Sequence, residues 1–238
     1  MIRLYRKNEL TFSLVFIGAY VLTFSVADAV SDSIGIYKVV TAPVGFAFSF
    51  ILYIWLKKNG LTGKYGLSVP LRGELKYYDF IFILFLLSAN LWNGINLNFT
   101  RAETAFYVLS MLFVGFIEEV IFRGFLFKAL CRDNIKTAII ISSFTFGAGH
   151  IVNLLSGADF LLTLIQICHA CIIGYIFTLF FIRTESLLLC IVTHSLFNAL
   201  DAFSAGNLEG VLFLIFTGAL LMVAIICTKL QWKDIIDK

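Results

Sequence analysis

The 238-residue chain is short of what soluble domains have in quantity. Only 14% of it is charged, against about 25% in an ordinary soluble domain. It has only 2 prolines and no low-complexity tract long enough to serve as a linker, which excludes a string of tethered domains. Cysteine is sparse and odd in number, 5 in all, and every one except Cys131 lies in an apolar run. That pattern excludes a disulfide framework and reads as small apolar packing residues. What the chain does have is apolar mass: 60% hydrophobic residues and a mean hydropathy of +0.95. Both values point to a membrane protein rather than one or two soluble domains.

Eight apolar segments can be read, at about residues 10–30, 36–56, 77–96, 104–127, 137–155, 160–182, 187–203 and 211–228. Each approaches the roughly 20 residues that a helix needs to cross the hydrocarbon core. None alternates with period two over a barrel strand's length, so helices are the spanning form. The expected fold is therefore an all-α, polytopic helix bundle of about eight transmembrane helices, forming one membrane-embedded domain over residues 1–238. Its first stretch has a basic start, an apolar run and Ala27-Asp28-Ala29, like a secretory leader with a cleavage site. The run is long enough to span, however, and more spans follow, so an uncleaved first helix is expected.

The basic residues fix an orientation. With eight spans, fifteen of the 18 Lys and Arg residues fall on one side, in 1–9, 57–76, 128–136, 183 and 229–238. The opposite loops, SDSIG, LSGAD and SAGNLEG, are acidic or neutral. The positive-inside rule then puts both termini in the cytoplasm. The net charge of +3 follows from this bias and implies no nucleic-acid partner. The longest loop, 57–76, reads as a solvated basic loop at anionic headgroups, with a substrate-docking role as the second reading.

Ionisable residues inside spans are few, and such residues face a bundle interior or a wet cavity. The candidates for a functional role are Glu118, Glu119 and Arg123 in span four, His150 in span five, His169 in span six, and His194 with Asn198 in span seven. Asp79 and Asp201 lie near span ends and read as reaching the interface. Glu119 and Arg123 are spaced i,i+4, acid first, the favourable order for a helical ion pair. Glu118 lies about 100° round the helix and points elsewhere. Counted from the basic ends of their spans, Glu118, His150, His194 and Asn198 all lie roughly 12–20 Å deep, at about 1.5 Å per residue. His169 falls near the same layer.

One carboxylate, two histidines and an asparagine in a buried layer make up the parts for hydrolysis without a covalent intermediate. A desolvated glutamate can act as general base, with a histidine holding the water. A second histidine and an amide can donate to the oxyanion of a tetrahedral intermediate. Nucleophilic alternatives fit less well. No cysteine has a catalytic setting, and Ser195 points about 100° away from its neighbour His194.

Glu118-Glu119-Val-Ile-Phe-Arg123 reads EExxxR, Phe146-Gly-Ala-Gly-His150 reads FxxxH, and His194-Ser-Leu-Phe-Asn198 reads HxxxN. In this order on separate helices, the three motifs resemble the CAAX-protease and bacteriocin-processing family of intramembrane glutamic endopeptidases, over about residues 104–203. The resemblance implies that Glu118 and His150 activate water, that His194 and Asn198 form the oxyanion hole, and that Glu119 and Arg123 support or tune the site. It implies no cofactor, a membrane-associated peptide or protein substrate, and a helix division of 1–103, 104–203 (catalytic) and 204–238. Eukaryotic members cleave prenylated CAAX proteins; bacterial members are tied to peptide maturation, bacteriocin self-immunity and signalling. The Phe- and Ile-rich composition resembles a bacterial member, placing the chain in a plasma membrane as a multi-pass protein.

Blander readings stand beside these. Glu119 and Arg123 can be a structural pair, which leaves Glu118 unexplained. His150 can be a packing histidine, and His194 with Asn198 can be interhelical glue. Cys168, His169 and Cys171 read as structural, since a lone CxxC is weak evidence for metal. Two other functions remain open: a zinc-dependent intramembrane protease with Glu118, His150 and His194 as ligands, which lacks HExxH, and a non-enzymatic immunity or scaffold protein.

Overall fold

The computed structural model describes residues 1–68, 77–206, 208 and 210–236. Among them the chain is helical, with no strand beyond an isolated bridge between Ile95 and Ser204. A short helix α1 (Ile2–Lys7) leads into α2 (Glu9–Ile34), α3 (Thr41–Lys58), α4 (Tyr77–Ala89) and α5 (Arg101–Glu119). The α5 axis continues as a π-helix, Val120–Phe127, and one last turn, Lys128–Leu130. Next come α6 (Ile135–Ala148) with a 3-10 extension Gly149–Ser156, α7 (Phe160–Thr184), α8 (Leu187–Leu200) and α9 (Gly210–Ile236).

Five of these axes are long and apolar enough to cross a membrane: Glu9–Ile34, Arg101–Leu130, Ile135–Leu155, Phe160–Thr184 and Gly210–Leu230. Leu22, Phe46, Leu84, Phe144 and Leu214 are exposed on the outside of the bundle. In water such a surface would be an aggregation liability; against lipid it is the natural one. The first apolar stretch is a single 26-residue helix that buries Phe12, Phe24 and Ala27 in the bundle. It starts from a side-chain cap, Asn8 accepting from Thr11 N, and ends on left-handed Gly35.

Two expected spans come out shorter. The second begins at Thr41 rather than 36, because Gly35 and Lys38 take positive φ and form a turn, and Pro43 sits in the first turn of α3, where it is tolerated. The third ends at Ala89, not 96, giving 13 residues; Asn93-Gly94, with Gly94 at φ 100°, breaks the helix. The seventh keeps its expected bounds, as 14 α-helical residues, Leu187–Leu200, followed by a 3-10 turn, Asp201–Phe203. Asp79 is another correction. It is fully buried and pairs with Arg183 at 2.5 Å instead of reaching the interface.

The loop after α3 also departs from a solvated segment. Residues 69–76, with Arg72 and Lys76, lie outside the described residues, but 59–68 folds back onto the bundle. Tyr65 is completely buried, its hydroxyl 2.9 Å from that of Tyr5. Burial, reinforced by that hydrogen bond, pushes its phenol well above the ordinary value. Lys64 donates to the Tyr5 hydroxyl at 2.6 Å and to both oxygens of Glu9 at 2.8 Å, and Arg132 reaches Glu9 at 2.6 Å. Gly66, at φ 65°, accepts from Leu187 N, and a Cβ there would stand 2.3 Å from the Glu185 carbonyl oxygen.

Under that cover lies an aromatic block. Phe12 packs against Trp55 and Phe125 with centroids 5.1 Å apart in each case. Phe16 meets Phe125 at 5.6 Å and Tyr65 meets it at 5.2 Å. At the opposite end the loops are pinned by polar contacts instead. Lys38 holds Asp28 at 2.8 Å, the Tyr37 amide donates to Glu103, and Asn98 donates to the Ser204 carbonyl at 2.7 Å.

Candidate active site

A second buried ion pair sits in the middle of the bundle. Along the α5 axis, Glu119 and Arg123 are both completely buried and joined by Nη1–Oε1 at 2.9 Å. All eight consecutive residues from Val120 to Phe127 are buried, so this segment faces protein on all sides. It does so as a π-helix, a form rare in proteins and frequent at functional sites. Arg123 Nε and Nη2 find no hydrogen-bond acceptor among the described residues. The guanidinium lies instead over the Phe146 ring at 4.1 Å, with the Phe177 ring 5.7 Å away. Cation–π attraction therefore replaces part of its lost hydration. Gly174 makes the space: a Cβ there would stand 2.9 Å from the Phe146 ring and 3.1 Å from Arg123 Nη2.

Glu119 has a second partner. His194 Nδ1 lies 2.8 Å from the same Glu119 oxygen that Arg123 contacts. Arg123, Glu119 and His194 thus form a relay from the packed core to a histidine whose other face looks at Glu118. His194 Nε2 is 3.5 Å from Glu118 Oε2. A carboxylate accepting from Nδ1–H fixes the ring's orientation and leaves Nε2 to meet a substrate or the second glutamate.

Glu118 has the opposite environment. Its side chain is 14% exposed, against 0% for Glu119. It faces a cavity of about 1160 Å³ that is also lined by His150, His194 and Asn198. Its Oε1 accepts from the Tyr20 hydroxyl at 2.6 Å. His150 stands in the 3-10 turn after α6, with Nδ1 buried and unbonded among the described residues. Phe146 connects the parts. Its ring centroid is 5.8 Å from His150, 5.6 Å from His194 and 5.3 Å from Phe122.

All six residues expected at the site are thus in one region. Glu118, His150, His194 and Asn198 line the cavity, while Glu119 and Arg123 stand behind its wall. His169 also lines the cavity, but Nε2 is 2.9 Å from Thr217 Oγ1 and the ring packs on Phe213 and Phe216. Cys168 is exposed and Cys171 is set against the Phe144 carbonyl at 3.9 Å, so CHAC is not assembled as one site. Ser195 donates to the Leu112 carbonyl at 3.1 Å, a helix-packing contact. Among the described residues no group of three His, Cys, Asp or Glu side chains is gathered closely enough to hold a metal in this arrangement.

Two contributors are not visible in the motifs. Tyr20 comes from α2, 98 positions before its partner, inside an ordinary apolar run; its only sequence signal is a hydroxyl at mid-span. Phe177 touches both Arg123 and His194, at 5.7 and 6.0 Å, and looks in sequence like any core aromatic.

Comparison with known proteins agrees with the motif resemblance. Residues 100–200 match the family model described as type II CAAX prenyl endopeptidase Rce1-like. The match contains the helices that carry EExxxR, FxxxH and HxxxN, while Tyr20 lies outside it. No curated protein and no solved structure matches the chain.

Proposed function

We propose that the chain is an intramembrane endopeptidase that hydrolyses a peptide bond of a membrane-associated peptide or protein. The observation that carries this reading is the meeting of Glu118, His150, His194 and Asn198 on one cavity wall in the middle of an apolar bundle. The family match over residues 100–200 supports the same reaction class, since that family is described as an endopeptidase.

In the proposed reaction, water lies between Glu118 and His150. Glu118 takes its proton as the oxygen attacks the peptide carbonyl. The developing oxyanion accepts hydrogen bonds from the Asn198 amide and from Nε2–H of His194, which carries a proton on each ring nitrogen in this step because Nδ1–H is committed to Glu119. Glu118 then returns the proton to the departing amine. Glu119, held by Arg123, keeps His194 in orientation, and the Tyr20 hydroxyl sets the Glu118 carboxylate. No metal takes part. The shorter apolar helices α3, α4 and α8 complete an eight-span bundle with both termini on the side of the basic loops, and the lipid bilayer of a cell membrane is its setting.

The test is to incubate purified enzyme, reconstituted in lipid, with a library of membrane peptides and to find new termini by mass spectrometry. Wild type yields specific cuts, and His150→Ala reduces them to background. Strong chelator leaves the wild-type rate unchanged. Complete loss in chelator, restored by zinc, would move the assignment to a metallopeptidase. Full cellular function of a Glu118→Gln protein would make it a scaffold.

A further inference from the structure

The cavity is one-sided. Its lining includes Asp28, Lys38, Ala158, Asp159 and Asp201, all at the end of the bundle opposite the Lys- and Arg-rich loops. Ala158, Asp159 and Asp201 are exposed there and form a mouth. None of its lining residues belongs to 1–9, 57–68, 128–136 or 183–186, the described basic segments. Toward those segments the route from Glu118 is filled. The buried Glu119–Arg123 pair comes first, then the Phe12–Trp55–Phe125 block, then buried Tyr65 under the folded-back loop.

We infer that substrate reaches Glu118 from the face opposite the basic loops. Under the positive-inside rule that face is the extracytoplasmic one. The substrate class is then a polypeptide that offers its cleavage site outside the cytoplasm or in the outer half of the bilayer, and not a tail that ends in the cytoplasm. The lining fits such a chain: the floor is aromatic, with Phe122, Phe146 and Phe177, and the mouth is polar. Exposed Ser25 of α2 and exposed Leu162 and Gln166 of α7 also line it, so an apolar flank can lie against the lipid side of the same half. The nature of the substrate rests on the peptidase reading; the side of access does not.

The test separates the two. Single cysteines are placed at the mouth (Ala158→Cys) and in the basic loop (Lys57→Cys), in a background whose native cysteines are replaced, and expressed in bacterial cells. A membrane-impermeant maleimide labels Ala158→Cys in intact cells and labels Lys57→Cys only after permeabilisation. The reverse pattern, or equal labelling of both, overturns the inference. Should the cysteine-free chain fail to fold, a C-terminal fluorescent protein on the native chain gives the same answer, because α9 runs from the mouth at Gly210 toward the basic end. Fluorescence places the basic end inside; its absence, with an active alkaline phosphatase fusion, overturns the inference. A bulky maleimide on Ala158→Cys abolishes cleavage of added membrane peptides, whereas the same reagent on Lys57→Cys leaves cleavage intact. If no variant cleaves any peptide, the peptidase reading falls while labelling still decides the side of access.

Discussion

The two halves of the bundle are built on different principles. On the side of the basic loops, aromatic rings interlock from Phe12 to Phe125 and a returning loop closes over them with Tyr65. On the other side, a cavity of about 1160 Å³ takes the place of a core. The boundary runs between two neighbours in sequence: Glu119 belongs to the packed half and Glu118 to the open one. Two adjacent carboxylates therefore stand in different settings. Glu119 is buried between Arg123 and His194, and Glu118 faces the cavity.

The comparison breaks most severely at Arg123. Arg123→Met leaves Glu119 buried beside His194 without its cation, and losing one partner of a buried pair costs about 3–5 kcal/mol. Thermal unfolding in detergent should fall steeply, and activity with it. Tyr20→Phe tests the open half. It keeps the ring against Phe24 and removes a hydrogen bond to a carboxylate, worth about 1.5–3 kcal/mol. The expected outcome is a fall in kcat of about one to two orders of magnitude, with KM unchanged and a modest drop in unfolding temperature. A stability loss with unchanged kcat would make Tyr20 a packing residue only.

Smaller effects sharpen the border. Gly174→Ala pushes on Phe146 and Arg123 together, and overpacking of this kind costs about 1–3 kcal/mol. Both unfolding temperature and turnover should drop modestly. Gly66→Ala puts a Cβ against the Glu185 carbonyl and strains a left-handed residue, which alone costs about 1–2 kcal/mol. It should lower stability and leave kcat as it was, because it disturbs only the closed end. The Cys131 thiol, at that end, is pushed up to about 11 by burial, so it should react slowly with thiol reagents at neutral pH.

Much of the site was legible because its parts repeat at helical spacing. The i,i+4 order of Glu119 and Arg123 implied their pairing, and the 100° offset separated Glu118 from it. What escaped the sequence depends on tertiary contact. Tyr20 is one hydroxyl in a long apolar helix, and nothing local marks its meeting with Glu118. Asp79 looked like an interface residue because Arg183, its partner, lies more than 100 positions away. The π-helix leaves no trace in hydrophobic periodicity, since every residue from Val120 to Phe127 is buried. The early end of α4 was written in Asn93-Gly94, but continuing apolar residues masked it.

The most direct measurement compares peptide hydrolysis by wild type and Glu118→Gln in lipid, each first shown to have the same unfolding temperature. Division of labour between the two glutamates predicts that Glu118→Gln binds substrate and cleaves it at no more than the background rate. Cleavage by Glu118→Gln at the wild-type rate would contradict it.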